Sequence, residues 1–206
     1  MNTSFLKLNI VNPEKDRLRE AVKVLFHGGV VVLPTETVYG IGFDIKSEMA
    51  RGKITDIKRE RKEKPYSIAM PDFNWIEDYE IESMSLKRAY LIKDLLPGPL
   101  TFILNVGGKG KIGFRIPDNR ITQDIITLFK KPIYLTSANI SDGVPALSFQ
   151  GAVERLNGRV DLIIDGGSFS LSRPSLVLDL TQNPVKILRE GPTLFTEEVK
   201  KRFAIK

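Results

Sequence analysis

Pro34-Thr35-Glu36-Thr37-Val38-Tyr39-Gly40-Ile41-Gly42 follows the apolar run Val30-Val31-Val32-Leu33, and the fold is read outward from this pair. The unbroken β-branched run has the character of a strand buried on both faces. Pro34 fixes the exit from that strand and removes a backbone donor, and the glycines let the backbone approach another group closely. Two threonine hydroxyls and a carboxylate in this space suit a small polar ligand carrying an ammonium group. The same residues also fit a tight turn at a sheet edge.

On the N-terminal side, Phe5 to Ile10 alternates apolar and polar side chains and predicts an edge strand. Asn12-Pro13 offers an N-cap with proline at the first helical position, Leu18, Ala21, Val22, Leu25 and Phe26 form one helical stripe, and Gly28 ends it. On the C-terminal side, helices are expected over Ser47 to Lys58, Ser85 to Leu96 and Gln123 to Phe129. Another is expected from Ser148 to Leu156, and a basic one capped by Thr196. Strands are expected at Tyr66–Met70, Pro132–Leu135, Asp161–Ile164, Leu176–Leu180 and Val185–Leu188. Thr101–Val106 and Lys111–Ile116 flank Gly107-Gly108-Lys109-Gly110 and read as a hairpin. No repeat or long linker divides the chain. The expectation is α/β: one domain over residues 1–206, with a mixed parallel and antiparallel sheet and flanking helices.

The nonapeptide resembles the signature of the YrdC-like family, the L-threonylcarbamoyladenylate synthases. Six further segments keep the family's order: Lys58-Arg59-Glu60-Arg61 with Lys64-Pro65-Tyr66-Ser67-Ile68, Leu96-Pro97-Gly98-Pro99-Leu100-Thr101, Gly113-Phe114-Arg115-Ile116-Pro117, Thr136-Ser137-Ala138-Asn139-Ile140-Ser141, Pro174 to Leu180, and Ile187-Leu188-Arg189-Glu190-Gly191. The resemblance runs from about residue 15 to about residue 191, leaving 192–206 for the C-terminal helix. It implies a twisted sheet curled around a concave, positively charged cavity. It also implies formation of threonylcarbamoyl-AMP and pyrophosphate from L-threonine, bicarbonate and ATP with Mg2+, for modification of an adenosine in tRNA.

The resemblance also carries roles. Thr35, Ser67, Arg115, Ser137 and Ser175 would bind threonine, while Lys58, Arg61, Lys64, Asn139 and Arg189 would bind the nucleotide, Lys58 and Arg61 being catalytic. One departure stands out. Where the family has a lysine, one variable residue and an arginine, this chain has Lys58, Arg59 and Glu60. Arg59 or Arg61 then reaches the site through a shifted loop, Arg61 being preferred, or the arginine's role is lost. Relatives of the YciO type depart at both this element and the Ser-x-Asn element; Ser137 and Asn139 keep the second.

The residues by themselves support part of this. The run 58–64 holds five basic and two acidic side chains, suited to phosphate oxygens or to a solvated helix end. Arg115, at an alternating strand position, can anchor a carboxylate. Ser137 and Asn139 follow a strand, at a carboxyl end of the kind that binds ligands in parallel sheets. The 206 residues contain no cysteine, excluding disulfides, zinc-thiolate sites and a thiol nucleophile. The single histidine, His27, sits at a helix end and suits the dipole there better than catalysis. No dedicated metal site is expected.

A net charge of +6 favours polyanionic partners, leaving nucleotide and direct RNA binding both open. Without an apolar leader or a membrane-length run, a cytoplasmic protein without membrane contact is expected, with tRNA-modification proteins as possible partners. Two other readings compete: a non-catalytic RNA- or nucleotide-binding protein of the same fold, YciO-like, and carbamoyl-adenylate chemistry with another acceptor. Aromatic content of 8% weighs against the first, and the absence of an extra domain against the second.

Overall fold

The protein is described by a computed structural model over residues 2–58, 66–140, 143–167, 171 and 173–205. Its elements run β1 (Ser4–Lys7), α1 (Lys15–Phe26), β2 (Val30–Leu33), β3 (Gly40–Asp44), α2 (Glu48–Lys58), β4 (Ser67–Ala69) and α3 (Ser83–Tyr90). They continue through β5 (Leu100–Val106), β6 (Gly110–Arg115), α4 (Arg120–Phe129), β7 (Ile133–Ser137), α5 (Phe149–Leu156), β8 (Leu162–Asp165), β9 (Leu176–Asp179), β10 (Lys186–Arg189) and α6 (Thr193–Arg202). The strands form one sheet in the order β1-β8-β2-β3-β7-β4-β6-β5-β9-β10, with parallel and antiparallel neighbours mixed as expected. Among the described residues no helix is long and apolar enough to cross a membrane.

Register explains where the site lies. Cross-strand partners face the same side of a sheet, so the pairings Gly40–Ser137, Ser67–Leu135, Ser67–Gly113, Arg115–Thr101 and Thr101–Val177 put all these residues on one face. Their neighbours Phe43, Tyr134, Ile68, Phe114, Phe102 and Leu178 point the other way, into cores roofed by α2 and α5 at one end and by α3 at the other. The first face is different. Helices α1 and α4 cover it only over β8, β2 and their neighbours, burying Leu18, Leu25, Ile125 and Phe129 against Val31, Leu33 and Ile133. Over β4, β6, β5 and β9 it is left open, and there polar side chains replace apolar ones.

Several elements depart from the sequence expectation. Gly40–Asp44, read as the tail of a loop, is a strand paired on both sides. It is legible only in context: a Cβ at Gly40 would lie 2.7 Å from Leu135 Cδ1, and one at Gly42 2.8 Å from Leu33 Cδ1. Neighbouring side chains already fill that space. The helix expected over Ser85 to Leu96 ends at Tyr90, and Lys93–Leu95 forms a separate 3-10 turn. The i→i+3 bonds from Ile92 to Ala89 and Leu95 to Ile92 tighten the chain and turn Ile92 fully into the core. A further 3-10 segment, Phe73–Asp78, escaped the pattern reading.

Helix ends also move. Helix α1 starts after Glu14 rather than at Pro13, because the Asn9 side chain accepts the Val11 and Asn12 amides and holds that segment as a turn. Thr196 lies inside α6 instead of before it, and its hydroxyl accepts the Gly191 amide at 3.1 Å. The Ser148 cap of α5 and the β5–β6 hairpin match the reading, with Gly108 and Gly110 supplying the positive φ the turn needs.

Phe114 is fully buried, its ring 6.0 Å from Phe102 and 5.0 Å from Tyr79. Phe114→Ala should cost roughly 3–5 kcal/mol of stability, measured as a shift in the denaturant midpoint with an unchanged slope. A cost below about 1 kcal/mol would mean that the sheet does not depend on this aromatic layer.

Candidate functional site

The open half of the sheet floors a cavity of about 760 Å³. Strand β6 contributes Lys111, Gly113 and Arg115 by its two-residue period, β5 contributes Thr101 and Ile103, and Ser175, Val177 and Asp179 come from β9 and the residue before it. Lys58, Ser67, Ser137, Gln182 and Arg189 add to its polar lining. Four cationic side chains thus face one carboxylate.

Arg115 is only 8% exposed. Its Nη2 donates to Glu36 Oε1 at 2.9 Å and Thr37 Oγ1 at 2.6 Å, with Thr35 Oγ1 at 3.4 Å, while its buried Nε has no partner among the described residues. Glu36 uses its second oxygen to accept the Asp118 amide at 3.2 Å. Burial first, and then the Glu36 charge, raise the Asp118 pKa. The nonapeptide therefore grips an arginine. Thr35 lies behind the cavity wall with no surface exposed, its hydroxyl donating to Val38 O at 2.5 Å. Tyr39, also fully buried, donates to Gly167 O at 2.7 Å, and burial pushes its phenol pKa up.

Lys58, the last residue of α2, is 5% exposed and reaches across to the end of β7. Its Nζ donates to Ser137 O at 2.7 Å, Asn139 O at 2.9 Å and Asn139 Oδ1 at 2.8 Å. Ser137 Oγ donates to the same Asn139 Oδ1 at 2.5 Å, and Asn139 Nδ2 donates to Ile140 O and Gly143 O. Lys58, Ser137 and Asn139 form one node, in which Ser137 meets the cavity and Asn139 stands behind it. Strand β7 runs antiparallel to both neighbours, so the rule for parallel-strand crevices does not place this node; the open face of the sheet does.

On the far side, Arg189 clamps Ser175. Its Nε donates to Ser175 O and its Nη2 to Ser175 Oγ, both at 3.0 Å, and Thr101 Oγ1 lies 2.9 Å from that hydroxyl. Arg189 keeps much of its surface in water, yet desolvation by the cavity walls and then the nearby Arg115 charge lower its pKa. Two guanidiniums that repel each other across one cavity make a place for an anion. Among the described residues, no carboxylate is paired with Arg189.

Of the sequence candidates, Lys58, Ser67, Arg115, Ser137, Ser175 and Arg189 share the cavity, and Thr35 and Asn139 support it from behind. Arg61 and Lys64 lie outside the described residues, as do the alternative Arg59 and the departure Glu60. Sequence reading passed over Thr101, Lys111, Asp179 and Gln182. The available signal was parity: Lys111 shares a strand face with Arg115, and Asp179 with Ser175 and Val177. Ser137 donates its hydrogen bond to an amide oxygen, which is no general base, so the Ser137–Asn139 contact activates no hydroxyl nucleophile. What this lining can do is bind anions, orient them and stabilise charge.

Residues 23–191 match the Sua5/YciO/YrdC family model, whose description is telomere recombination. A putative threonylcarbamoyl-AMP synthase of Methanocaldococcus jannaschii is 32% identical over 200 residues, covering 93% of this chain and 94% of that protein. The crystal structure of Pyrococcus abyssi Sua5 complexed with L-threonine superposes with a TM-score of 0.86 at 30% identity, over 98% of this chain but 61% of that one. The crystal structure of Escherichia coli YciO superposes with a TM-score of 0.82 at 27% identity, covering 92% and 96%.

Asp179 gives this region a pH signature. Burial alone would raise its pKa, but hydrogen bonds from Thr181, Lys111 and Gln182 outweigh burial and hold it at about 2, against an ordinary 3.8. The fold favours the ionised form, so its contribution is complete above the unfolded value and is lost as pH falls through the folded one. That difference corresponds to about 2 kcal/mol. Unfolding at a series of pH values should show Asp179→Asn losing less stability than wild type between about pH 5 and pH 2. Parallel losses would mean that the carboxylate is not held this way.

Proposed function

Because the chain belongs to the Sua5/YciO/YrdC family, we propose that it catalyses the formation of L-threonylcarbamoyl-AMP and pyrophosphate from L-threonine, bicarbonate and ATP. One observation carries the reading: Arg115, Arg189 and the Lys58–Ser137–Asn139 node converge on one cavity that offers charge and hydrogen bonds but, among the described residues, no activated nucleophile. Such a lining suits a reaction between bound substrates. The threonine amine takes up bicarbonate to give a carbamate with loss of water. A carbamate oxygen then attacks the α-phosphorus of ATP, forming the mixed anhydride and breaking the bond to the pyrophosphate oxygen.

In this reading Arg115 receives the threonine carboxylate, and Ser67, Ser137 and Ser175 surround its ammonium and hydroxyl groups. Thr35 contributes by fixing Arg115. Lys58 places its charge beside the Ser137–Asn139 turn, Asn139 and Arg189 orient the nucleotide, and Arg61 and Lys64 add cations for the triphosphate. Arginine suits a phosphate or carboxylate through its bidentate fork, and fixed donors stabilise charge as it develops. Magnesium arrives with ATP as its counterion. Asp179, on the cavity floor, is already occupied by Lys111, Thr181 and Gln182, so phosphate oxygens and water would be the metal's ligands. The product would serve threonylcarbamoylation of tRNA in the cytoplasm, passed to tRNA-modification proteins.

Purified protein given magnesium, ATP, threonine and bicarbonate should release pyrophosphate only when all the substrates are present. Lys58→Ala should lower kcat/KM on the order of 100-fold, and Arg115→Ala should act mainly through the KM for threonine. No pyrophosphate above background would overturn the synthase reading and leave the nucleotide- or RNA-binding protein of the same fold in its place.

A further inference from the structure

Arg88 lies outside the cavity, in the last turn of α3, the helix that roofs the opposite face of the sheet. Its guanidinium pairs with no carboxylate among the described residues. Instead one nitrogen, Nη1, donates to two backbone carbonyls, Leu180 O at 2.9 Å and Gln182 O at 2.7 Å. Those carbonyls bracket the turn that follows β9. From the cavity side the same turn is held by Asp179, which is 2% exposed. Asp179 Oδ1 accepts the Thr181 amide at 3.0 Å and the Thr181 hydroxyl at 2.6 Å. Its Oδ2 accepts Gln182 Nε2 at 2.7 Å and Lys111 Nζ at 2.9 Å. Lys111, Asp179 and Gln182 line one corner of the cavity.

The two charges act on the turn in the same sense. A cation meets its carbonyl oxygens and an anion meets an amide hydrogen, so both align the peptides between them. Without Arg88, Asp179 alone would hold the turn, with a carboxylate already shared with Lys111. Leu180 is fully buried and its amide donates to Ile103 O at 3.0 Å, so the start of the turn stays fixed. Movement then falls on Gln182, the residue of the turn that meets the cavity. Arg115 stands four residues beyond Lys111 on β6, about 13 Å along the strand. In the proposed reaction Arg115 takes the threonine carboxylate, which leaves this distant corner to ATP.

We infer that Arg88 is a positioning residue for ATP, acting from behind the sheet by fixing the Leu180–Gln182 turn against Asp179. It touches neither substrate. The inference rests on the proposed function and deepens it, because affinity for one substrate is set from a helix on the face of the sheet opposite the cavity.

Steady-state kinetics on three variants test this. Arg88→Met keeps the aliphatic stem, loses the donors and should raise the KM for ATP roughly tenfold, the scale of one charge-assisted hydrogen bond. The KM for threonine should stay at its wild-type value. Arg88→Lys restores a charged donor and should recover part of the loss. Lys87→Met, exposed and one position earlier, removes a like charge without touching the turn, so both KM values should be unchanged. Equal rises in both KM values for Arg88→Met would reduce Arg88 to a structural role, and an unchanged KM for ATP would overturn the inference outright. A rise as large in Lys87→Met would replace positioning by long-range charge and overturn it too. If Arg88→Met does not fold, Arg88→Lys decides: the same one-sided rise is expected at smaller size, and its absence overturns the inference. All these outcomes leave wild-type turnover standing. A wild-type protein that releases no pyrophosphate would instead overturn the proposed function, and the inference with it.

Discussion

A guanidinium buried under a polar cavity is the constraint around which the site is arranged. Arg115 loses nearly all its water, and a charge so placed needs close partners to be tolerated. Glu36 supplies the opposite charge and Thr37 the shortest hydrogen bond. Glu36 in turn is tied to the Asp118 amide at the start of the segment leading to α4. Signature loop, central strand and helix α4 are thereby joined, and Thr122 adds a bond from α4 to Pro34 O at 2.5 Å. The nonapeptide's polar residues are thus explained first by the arginine they hold and only then by any ligand.

Much of this was legible in the sequence because it rests on local signals. Three valines and a leucine cannot be left in water, so β2 read itself, and Gly107 to Gly110 admitted a hairpin and little else. The single-face stripe of α1 and the Ser148 cap were equally direct. What failed was set by distant partners. The sequence of β3 contains two glycines and looks like a loop until Leu33 and Leu135 are seen filling the space above them. Ile92 leaves a helical pattern because the core draws it inward.

The site was legible in identity more than in arrangement. The residue types at Ser137, Asn139, Arg115, Ser175 and Arg189 were singled out, but sequence order does not reveal who holds whom. Thr35, a threonine-binding candidate in the sequence, lies with its hydroxyl 3.4 Å from Arg115 Nη2, a contact no sequence pattern announces. Lys58 was expected on phosphate oxygens and is found gathering the carbonyls of Ser137 and Asn139, 79 and 81 residues away. Lys111 and Asp179 were overlooked because their pairing exists only once β9 lies beside β5 and β5 beside β6.

The hydrogen bond from Ser137 to Asn139 has a consequence for the lifetime of what the cavity makes. A mixed carbamic–phosphoric anhydride is an easy target for any hydroxyl whose proton can be removed. Ser137 spends its proton on an amide oxygen that cannot take it, and Ser175 shares its hydroxyl with Thr101 and Arg189. These two hydroxyls therefore recognise polar groups with no base beside them to take their protons. For the proposed reaction, the protein would shelter its own reactive product, and the pace of decay would be left to water and to whichever acceptor collects the acyl group first.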